Sequence, residues 1–271
     1  MEELILTPGQ YRSLWVGTQT TITLLLYSFG LGVVLSVVFG LMRLSEKRFL
    51  RGFALAYVEL FRGVSSIVLL FWFVFALPIL LDIGQPSRVL MSVIALGANM
   101  GGYGAEIVRG AVLSVPKGQH EATIALNLTA AQRVRHVVLP QALPIILPPL
   151  GNLTIEILKG TALVSLIGLR DLTASMQILR NARTQMEVPI DVPGLFLNGL
   201  IIYFILSQIV ALIFRIAERI TARTYRPRTG RRAVALDAAE PGADAAMAAA
   251  HDGGGSAAGP ASGPDDEEGG R

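Results

Sequence analysis

Of the 271 residues, 52% are hydrophobic and only 16% are charged, against about 25% charged in an ordinary soluble domain. With no cysteine, disulfides, thiolate metal sites and cysteine nucleophiles are excluded. The net charge of +3 and a pI near 9.4 do not point to nucleic acid, because the basic residues fall in connectors between apolar runs.

The N-terminus, MEELILTPGQYRSLW, is acidic and lacks the basic segment and small-residue cleavage pattern of a removable signal. The first span, near Thr20 to Leu41, is therefore expected to be retained and to serve as its own insertion signal. No Asp, Glu, Lys or Arg occurs between Arg12 and Arg43, Arg62 and Asp82, Arg88 and Glu106, Arg135 and Glu156, or Asp191 and Arg215. A membrane-spanning helix needs roughly 17–25 mainly apolar residues, so these runs predict an all-α integral membrane protein of about five transmembrane helices.

Arg43, Lys47, Arg48 and Arg51 fill the first connector, and Arg88 alone stands in the second. Arg109, Lys117, Arg133 and Arg135 lie around the third, and seven arginines from Arg215 to Arg232 follow the last span. Retained positive charge marks the cytoplasmic side, which puts the N-terminus outside and the C-terminus inside. The fourth connector, about Leu169 to Asp191, carries Arg170, Arg180 and Arg183 on the expected outer side, and its length suggests a partly helical segment.

The second apolar stretch, Phe53 to Leu81, is longer than a bilayer requires at about 1.5 Å per residue. Its first part is amphipathic, and Gly63, Ser65 and Ser66 allow a bend. The fourth stretch holds Pro140, Pro144, Pro148 and Pro149, where a helix is expected to kink or break. Broken helices at membrane depth are tolerated where they pack in protein or line a polar cavity. From Pro227 the chain turns rich in Ala, Gly, Pro and acid. It cannot bury enough apolar surface to offset its ordering entropy. This divides a membrane domain (1–226) from a tail (227–271) expected to be disordered and cytoplasmic.

Three ionisable pairs share the i, i+3 spacing of one helix face: Glu59 with Arg62, Glu106 with Arg109, and Glu156 with Lys159. A lone charge at mid-bilayer costs at least about 2.5–3.5 kcal/mol, so pairing or a wet cavity is expected. The first two pairs are equally readable as brackets near the membrane interface. Glu156 and Lys159 sit deepest in uncharged sequence and are expected to face a cavity with Asn152 and Thr161. Trp15, Trp72, Tyr11 and Tyr57 read as interface anchors or packing.

Residues 116–152 read PKGQHEATIALNLTAAQRVRHVVLPQALPIILPPLGN. This predicts a short helix from Gln119 to Leu126, a polar turn, a second helix from about Thr129, and a proline-marked return to the membrane. Glu121 lies near the start of the first helix, where the positive end of the macrodipole favours a carboxylate. Ala122 and Ala125 keep one surface small enough for another protein to pack closely.

The order G-Q-x-E-A-x-x-A-L-x-L-x-x-x-Q-x-x-x-x-V-x-L-P-Q-A resembles the EAA loop of ABC importer permeases, in the polar amino acid uptake branch. Tyr57 to Gly63, Gly104 to Ala111 and Leu158 to Gly168 resemble that branch in matching order, over roughly residues 10–220. The resemblance implies a five-span permease core whose EAA loop is a cytoplasmic coupling helix inserted in a groove of a separate ATPase subunit. It also implies an extracytoplasmic solute-binding protein and a second permease chain, identical or related. The expected coupling residues are Gly118, Gln119, Glu121, Ala122, Ala125, Asn127, Gln132 and Pro140. Glu59, Arg62, Asn152, Glu156, Lys159 and Thr161 are the expected pathway residues.

Two positions depart from the pattern. Asn127 stands where the family usually has Gly, though Asn also tolerates the left-handed conformation of a helix cap. Arg62-Gly63-Val64-Ser65 replaces the usual Arg-Gly-Thr-Pro, and loss of the proline is expected to straighten the entry to the second span. Asn127, the run Asn99-Met-Gly-Gly-Tyr-Gly and Lys159-Gly-Thr-Ala are similar to the ectoine/hydroxyectoine permease subgroup.

No G-x-x-x-x-G-K-[ST] loop occurs, so no cofactor is expected on this chain and ATP is expected to be hydrolysed by the partner. Two other readings stand beside this one. An ion-gradient-driven secondary transporter for a small polar solute would need self-sufficient uptake, usually with more spans in repeats. A membrane enzyme would use Glu156 and His136 as acid and base, which the reading places at different membrane depths.

Overall fold

A computed structural model describes residues 6–186 and 191–224, and all regular elements among them are helical. The expected tail, 227–271, lies outside the described residues. Helix α1 (Pro8–Met42) begins well before Thr20. Pro8 presets the first turn, and the Thr7 backbone N–H donates to Gln10 Oε1 at 2.8 Å. Its buried positions include Gly17, Thr18, Thr21, Ser28, Gly32, Ser36 and Gly40. Such a small-residue seam lets a neighbouring backbone approach closely where lipid offers no hydrophobic drive between helices.

Along Gly32, Ser36 and Gly40 the partner is α5 (Arg88–Leu113), the most enclosed helix of the fold, whereas Gly17 and Thr21 meet Asp171, Leu172 and Ser175. Among the described residues, three helices are long and apolar enough to cross a membrane: Pro8–Met42, Val134–Ile167 and Val192–Ala222. A bent pair, Arg48–Gly63 with Ser66–Leu80, makes a fourth if counted as one span. Helix α5 is as long as a span, but it runs through the centre of the bundle. Protein surrounds it, so it carries Ser92, Asn99, Gly101 and Gly102 where a lipid-facing helix would carry Leu or Ile.

The bend between α2 (Arg48–Gly63) and α3 (Ser66–Phe71) is 104°. Loss of the family proline therefore does not straighten this entry, contrary to the expectation. A break orphans the last carbonyls of one helix and the first N–H groups of the next, and α5 supplies partners. Asn99, 4% exposed, donates from Nδ2 to the Phe61 carbonyl at 2.8 Å and accepts from Ser66 Oγ at 3.2 Å. Tyr57 Oη donates to the Ala98 carbonyl at 2.8 Å, and its ring stacks on Phe39 at 3.7 Å. Glycine is required beneath it: a Cβ at Gly101 would lie 2.6 Å from Tyr57 Oη and 2.6 Å from Leu35 Cβ.

Two single π-helical turns, Trp72–Ala76 and Val134–Val138, each stop two residues before a proline. The N–H groups of Leu77 and Leu139 reach back five residues, to the carbonyls of Trp72 and Val134. A proline ring clashes with the carbonyl four residues earlier in an α-helix, so the widened turn makes room for Pro78 and Pro140. The chain therefore neither breaks nor turns to coil at the prolines. After α4 (Leu77–Leu80) it reaches α5, and beyond α6 (Lys117–Ala125) and α7 (Ala130–Arg133) the second π turn leads into α8 (Leu139–Gly160). Helix α8 stays continuous through Pro144, Pro148 and Pro149. It then tightens to a 3₁₀ segment over Thr161–Ile167, and ends at Gly168 with φ 78°.

The fourth connector is partly helical as expected: α9 (Leu172–Met186) lies between α8 and α10 (Val192–Thr224). Leu25, Met100, Val108, Ala142, Ile146, Leu150, Leu153 and Ile157 form the main core where α1, α5 and α8 meet.

Candidate functional site

Helix α6 stands between the membrane helices α5 and α8 and is exposed along most of its length. Thr123, 3% exposed, and Val115, 5%, seat it. At about 100° per residue, Gly118, Glu121 and Ala125 lie opposite Thr123, with Ala122 on the flank. All four are exposed, as are Ile124 and Leu126 beside them.

The end of α6 has the cap that the sequence anticipated. Asn127 has φ 53°. Its N–H donates to the Ile124 carbonyl at 2.9 Å, and the Leu128 N–H to the Thr123 carbonyl at 3.1 Å, the Schellman pattern. A capping box opens the next turn: Thr129 N–H donates to Gln132 Oε1 at 2.9 Å and Gln132 N–H to Thr129 Oγ1 at 3.4 Å. The side chain of Gln132 is thus engaged in shaping the loop. Gln119 accepts from Gln141 Nε2 at 3.2 Å, tying α6 to the first turn of α8 just beyond Pro140.

Glu106 pairs with Arg109 at 3.0 Å and also with Arg43, which reaches it from the end of α1. The expected i, i+3 pair forms here and gains a third member from another helix. The other two pairs do not form: among the described residues, Glu156 makes no ion pair with Lys159, nor Glu59 with Arg62. Arg62 instead lies over the Tyr103 ring, 5.5 Å from its centroid.

On α8 the sequence period separates two faces. Ala142, Ile146, Leu150, Leu153 and Ile157 are buried, whereas Ile145, Pro149, Asn152, Glu156 and Lys159 form an exposed stripe. The structure brings Asn152, Glu156 and Lys159 together on that stripe. Thr161 is excluded from it: fully buried, it donates to the Leu158 carbonyl at 2.7 Å and faces the core. Glu59 and Arg62 belong to α2, which packs on α5 and α1. His136 sits in the π turn ahead of α8, its Nδ1 3.1 Å from the Gln132 carbonyl. Twenty residues at about 1.5 Å rise put it roughly 30 Å along the helix from Glu156, too far for a shared proton.

Two polar residues escaped the sequence reading. Asn99 entered it only through a subgroup resemblance, with no structural role attached. Asp171, an acid of the fourth connector given no role in it, is fully buried. It caps α9, accepting from the backbone N–H of Ala174 at 2.8 Å and of Thr173 at 3.1 Å. Thr21 of α1 accepts the Leu172 N–H at 3.2 Å, and Tyr203 of α10 meets Thr173 Oγ1 at 3.0 Å. Burial pushes the Asp171 carboxyl above its ordinary value, against the two backbone donors that pull it down. The tell-tale was Asp171-Leu-Thr, beginning three residues after Gly168, a helix-start pattern.

Residues 32–223 match the family described as the binding-protein-dependent transport system inner membrane component. The chain is 42% identical over 216 residues to the probable amino-acid ABC transporter permease protein y4tF of Sinorhizobium fredii, covering 78% of this chain and 87% of that relative. It is 34% identical over 206 residues to the L-cystine transport system permease protein TcyB of Bacillus subtilis, covering 75% and 84%. The crystal structure of an amino acid ABC transporter with histidines superposes with a TM-score of 0.67 at 29% identity, covering 77% of this chain and 94% of that one. An inward-facing MetNI methionine ABC transporter shares the fold, with a TM-score of 0.66 at 21% identity and coverage of 80% and 99%. These likenesses set aside both the ion-gradient-driven carrier and the membrane enzyme. By this match over most of its length, the chain belongs to the inner membrane components of binding-protein-dependent transport systems, the multi-pass permease subunits of ABC importers, which are not themselves enzymes.

Proposed function

We propose that the chain forms the translocation pathway of an ABC importer for a polar amino acid or a related zwitterion, ectoine and hydroxyectoine included. Its N-terminus lies outside and its C-terminus inside. A solute-binding protein delivers the solute, and a second permease chain, identical or related, completes the pathway. A cytoplasmic ATPase subunit receives α6. The observation that carries this reading is α6 itself, a capped helix that presents Gly118, Glu121, Ala122 and Ala125 outward with the apolar Ile124 and Leu126 beside them. Small and apolar residues at the centre of an exposed helix suit a groove in another protein. Gln119, Gln132, Asn127 and Pro140 act in fixing how that helix meets α8.

Glu156, Lys159 and Asn152 supply an anion, a cation and an amide on one stripe, complementary to the charges of a zwitterion. Thr161 is not part of that lining. Relatives whose names specify an amino acid and cystine support the solute class. The test is reconstitution of the permease with its ATPase and binding protein. Ala122→Glu is expected to abolish uptake and solute-stimulated ATP hydrolysis together; native levels of both in that variant would refute docking through α6. A thermal-shift panel on the binding protein should show stabilisation by amino acids or ectoines, and stabilisation by sugars or peptides alone would overturn the solute class.

A further inference from the structure

We infer that α2 is an in-plane anchor that seats on the anionic phospholipid headgroups of the leaflet facing the ATPase. Which leaflet that is rests on the orientation proposed above, but the location of α2 comes from the fold. Arg43, at the end of α1, is held by Glu106, less than two turns before α5 gives way to α6. Helix α2 therefore starts at the same end of the bundle as α6. Its axis then turns 104° away from the following span, so it runs across the bundle instead of along it.

The sides of α2 are sorted by chemistry. Ala54 and Val58 are fully buried, and with half-buried Leu50, Tyr57 and Phe61 they make a ridge against α1 and α5. At about 100° per residue, Phe49, Phe53 and Leu60 fall on one flank of that ridge. Arg48, Arg51, Glu59 and Arg62 fall on the other, around a single exposed apolar residue, Leu55. The apolar flank is mostly uncovered: Phe49 is 83% exposed, Phe53, whose ring touches Phe39 of α1, 58%, and Leu60 56%. Lys47, Arg48 and Arg51 are exposed, and none makes an ion pair among the described residues. A helix with aromatic residues on one side and arginines on the other lies in a membrane interface, rings toward the acyl chains and guanidinium groups at the phosphates. The local excess of Lys and Arg over Glu46 and Glu59 selects anionic headgroups.

The test places a reporter at the most exposed ring. Phe49→Trp is made in a Trp15→Phe, Trp72→Phe background, and the whole transporter with its ATPase is reconstituted in vesicles of phosphatidylcholine and phosphatidylglycerol. Bromine is carried on the acyl chains of one lipid or the other at equal mole fraction. Brominated phosphatidylglycerol is expected to quench the introduced indole about two-fold more strongly than brominated phosphatidylcholine, and high salt to remove the difference. Combining Lys47→Gln, Arg48→Gln and Arg51→Gln is expected to do the same without salt. Equal quenching by both lipids at low salt overturns the headgroup preference. No quenching by either shows that protein covers this flank and overturns the anchor. The Ala122→Glu variant leaves quenching unchanged, so failure of the anchor and failure of α6 docking are read separately.

Discussion

Asn127 carries a backbone conformation that most side chains resist. A left-handed φ of 53° costs a residue with a Cβ roughly 1–2 kcal/mol, and Asn is partly spared by its short polar side chain. Asn127→Gly is therefore expected to leave solute-stimulated ATP hydrolysis near native. Asn127→Val, β-branched at a positive φ, is expected to loosen the cap and lower that stimulation while unstimulated hydrolysis by the complex persists. Stimulation measured on the reconstituted transporter decides it; an unimpaired Val variant would show that the turn does not set the docking pose. Asp171 poses a different question at the same scale. Its folded-state carboxyl is raised by burial, so the folded chain holds its proton more tightly than the unfolded chain does. Its contribution is therefore greatest below the ordinary value of 3.8 and is lost as pH rises through the folded value. The melting temperature of the native protein is expected to fall as pH climbs from just below 4, and Asp171→Asn to flatten that slope. An identical slope in the variant would assign the pH dependence elsewhere.

Elements show which parts of the chain could be read from neighbours in sequence. The α6 cap, the helix start near Thr129 and the partly helical fourth connector depend on residues within a few positions of one another, and local chemistry revealed them. The α2–α3 bend depends on Asn99, 38 positions from the carbonyl it satisfies, and the missing proline therefore misled. Likewise Glu106 paired at the readable i, i+3 spacing but also drew Arg43, 63 positions away, whereas Glu156 and Lys159 share the spacing and form no ion pair among the described residues. Prolines in α8 looked like breaks because the π turn that absorbs Pro140 has no signature beyond the proline itself. That turn inserts one residue into the helix. Deleting Val137 is expected to rotate α6 and α7 by about 100° relative to α8 and to set the Pro140 ring against a carbonyl, at roughly 3 kcal/mol. Adding Pro140→Ala relieves the clash and not the rotation. Thermal stability should then recover in the double variant while uptake stays absent; recovery of both would mean that the register between α6 and α8 is unimportant.

The whole molecule is built with a face left over. Helix α8 buries one side in the core and turns Asn152, Glu156 and Lys159 outward, and neither charge finds an ion-pair partner among the described residues. In hydrocarbon such a stripe is expensive, which supports the proposal that it faces a second permease chain, identical or related, or a watery path between the two. Every polar side chain of that path must be reachable from water in some state of the transport cycle, whereas a lipid-facing one never is. Because the chain has no cysteine, the question can be put to single positions. Asn152→Cys is expected to react with a membrane-impermeant thiol reagent and to be protected by saturating solute with its binding protein. Leu212→Cys, on the exposed side of α10, is expected to resist the same reagent. Glu156→Gln is expected to lower uptake by about ten-fold or more, the loss of one charge-assisted hydrogen bond worth roughly 1.5–3 kcal/mol, with solute-independent ATP hydrolysis retained. If Asn152→Cys and Leu212→Cys were equally inert and Glu156→Gln transported normally, the stripe would be a permease–permease contact sealed from the solute.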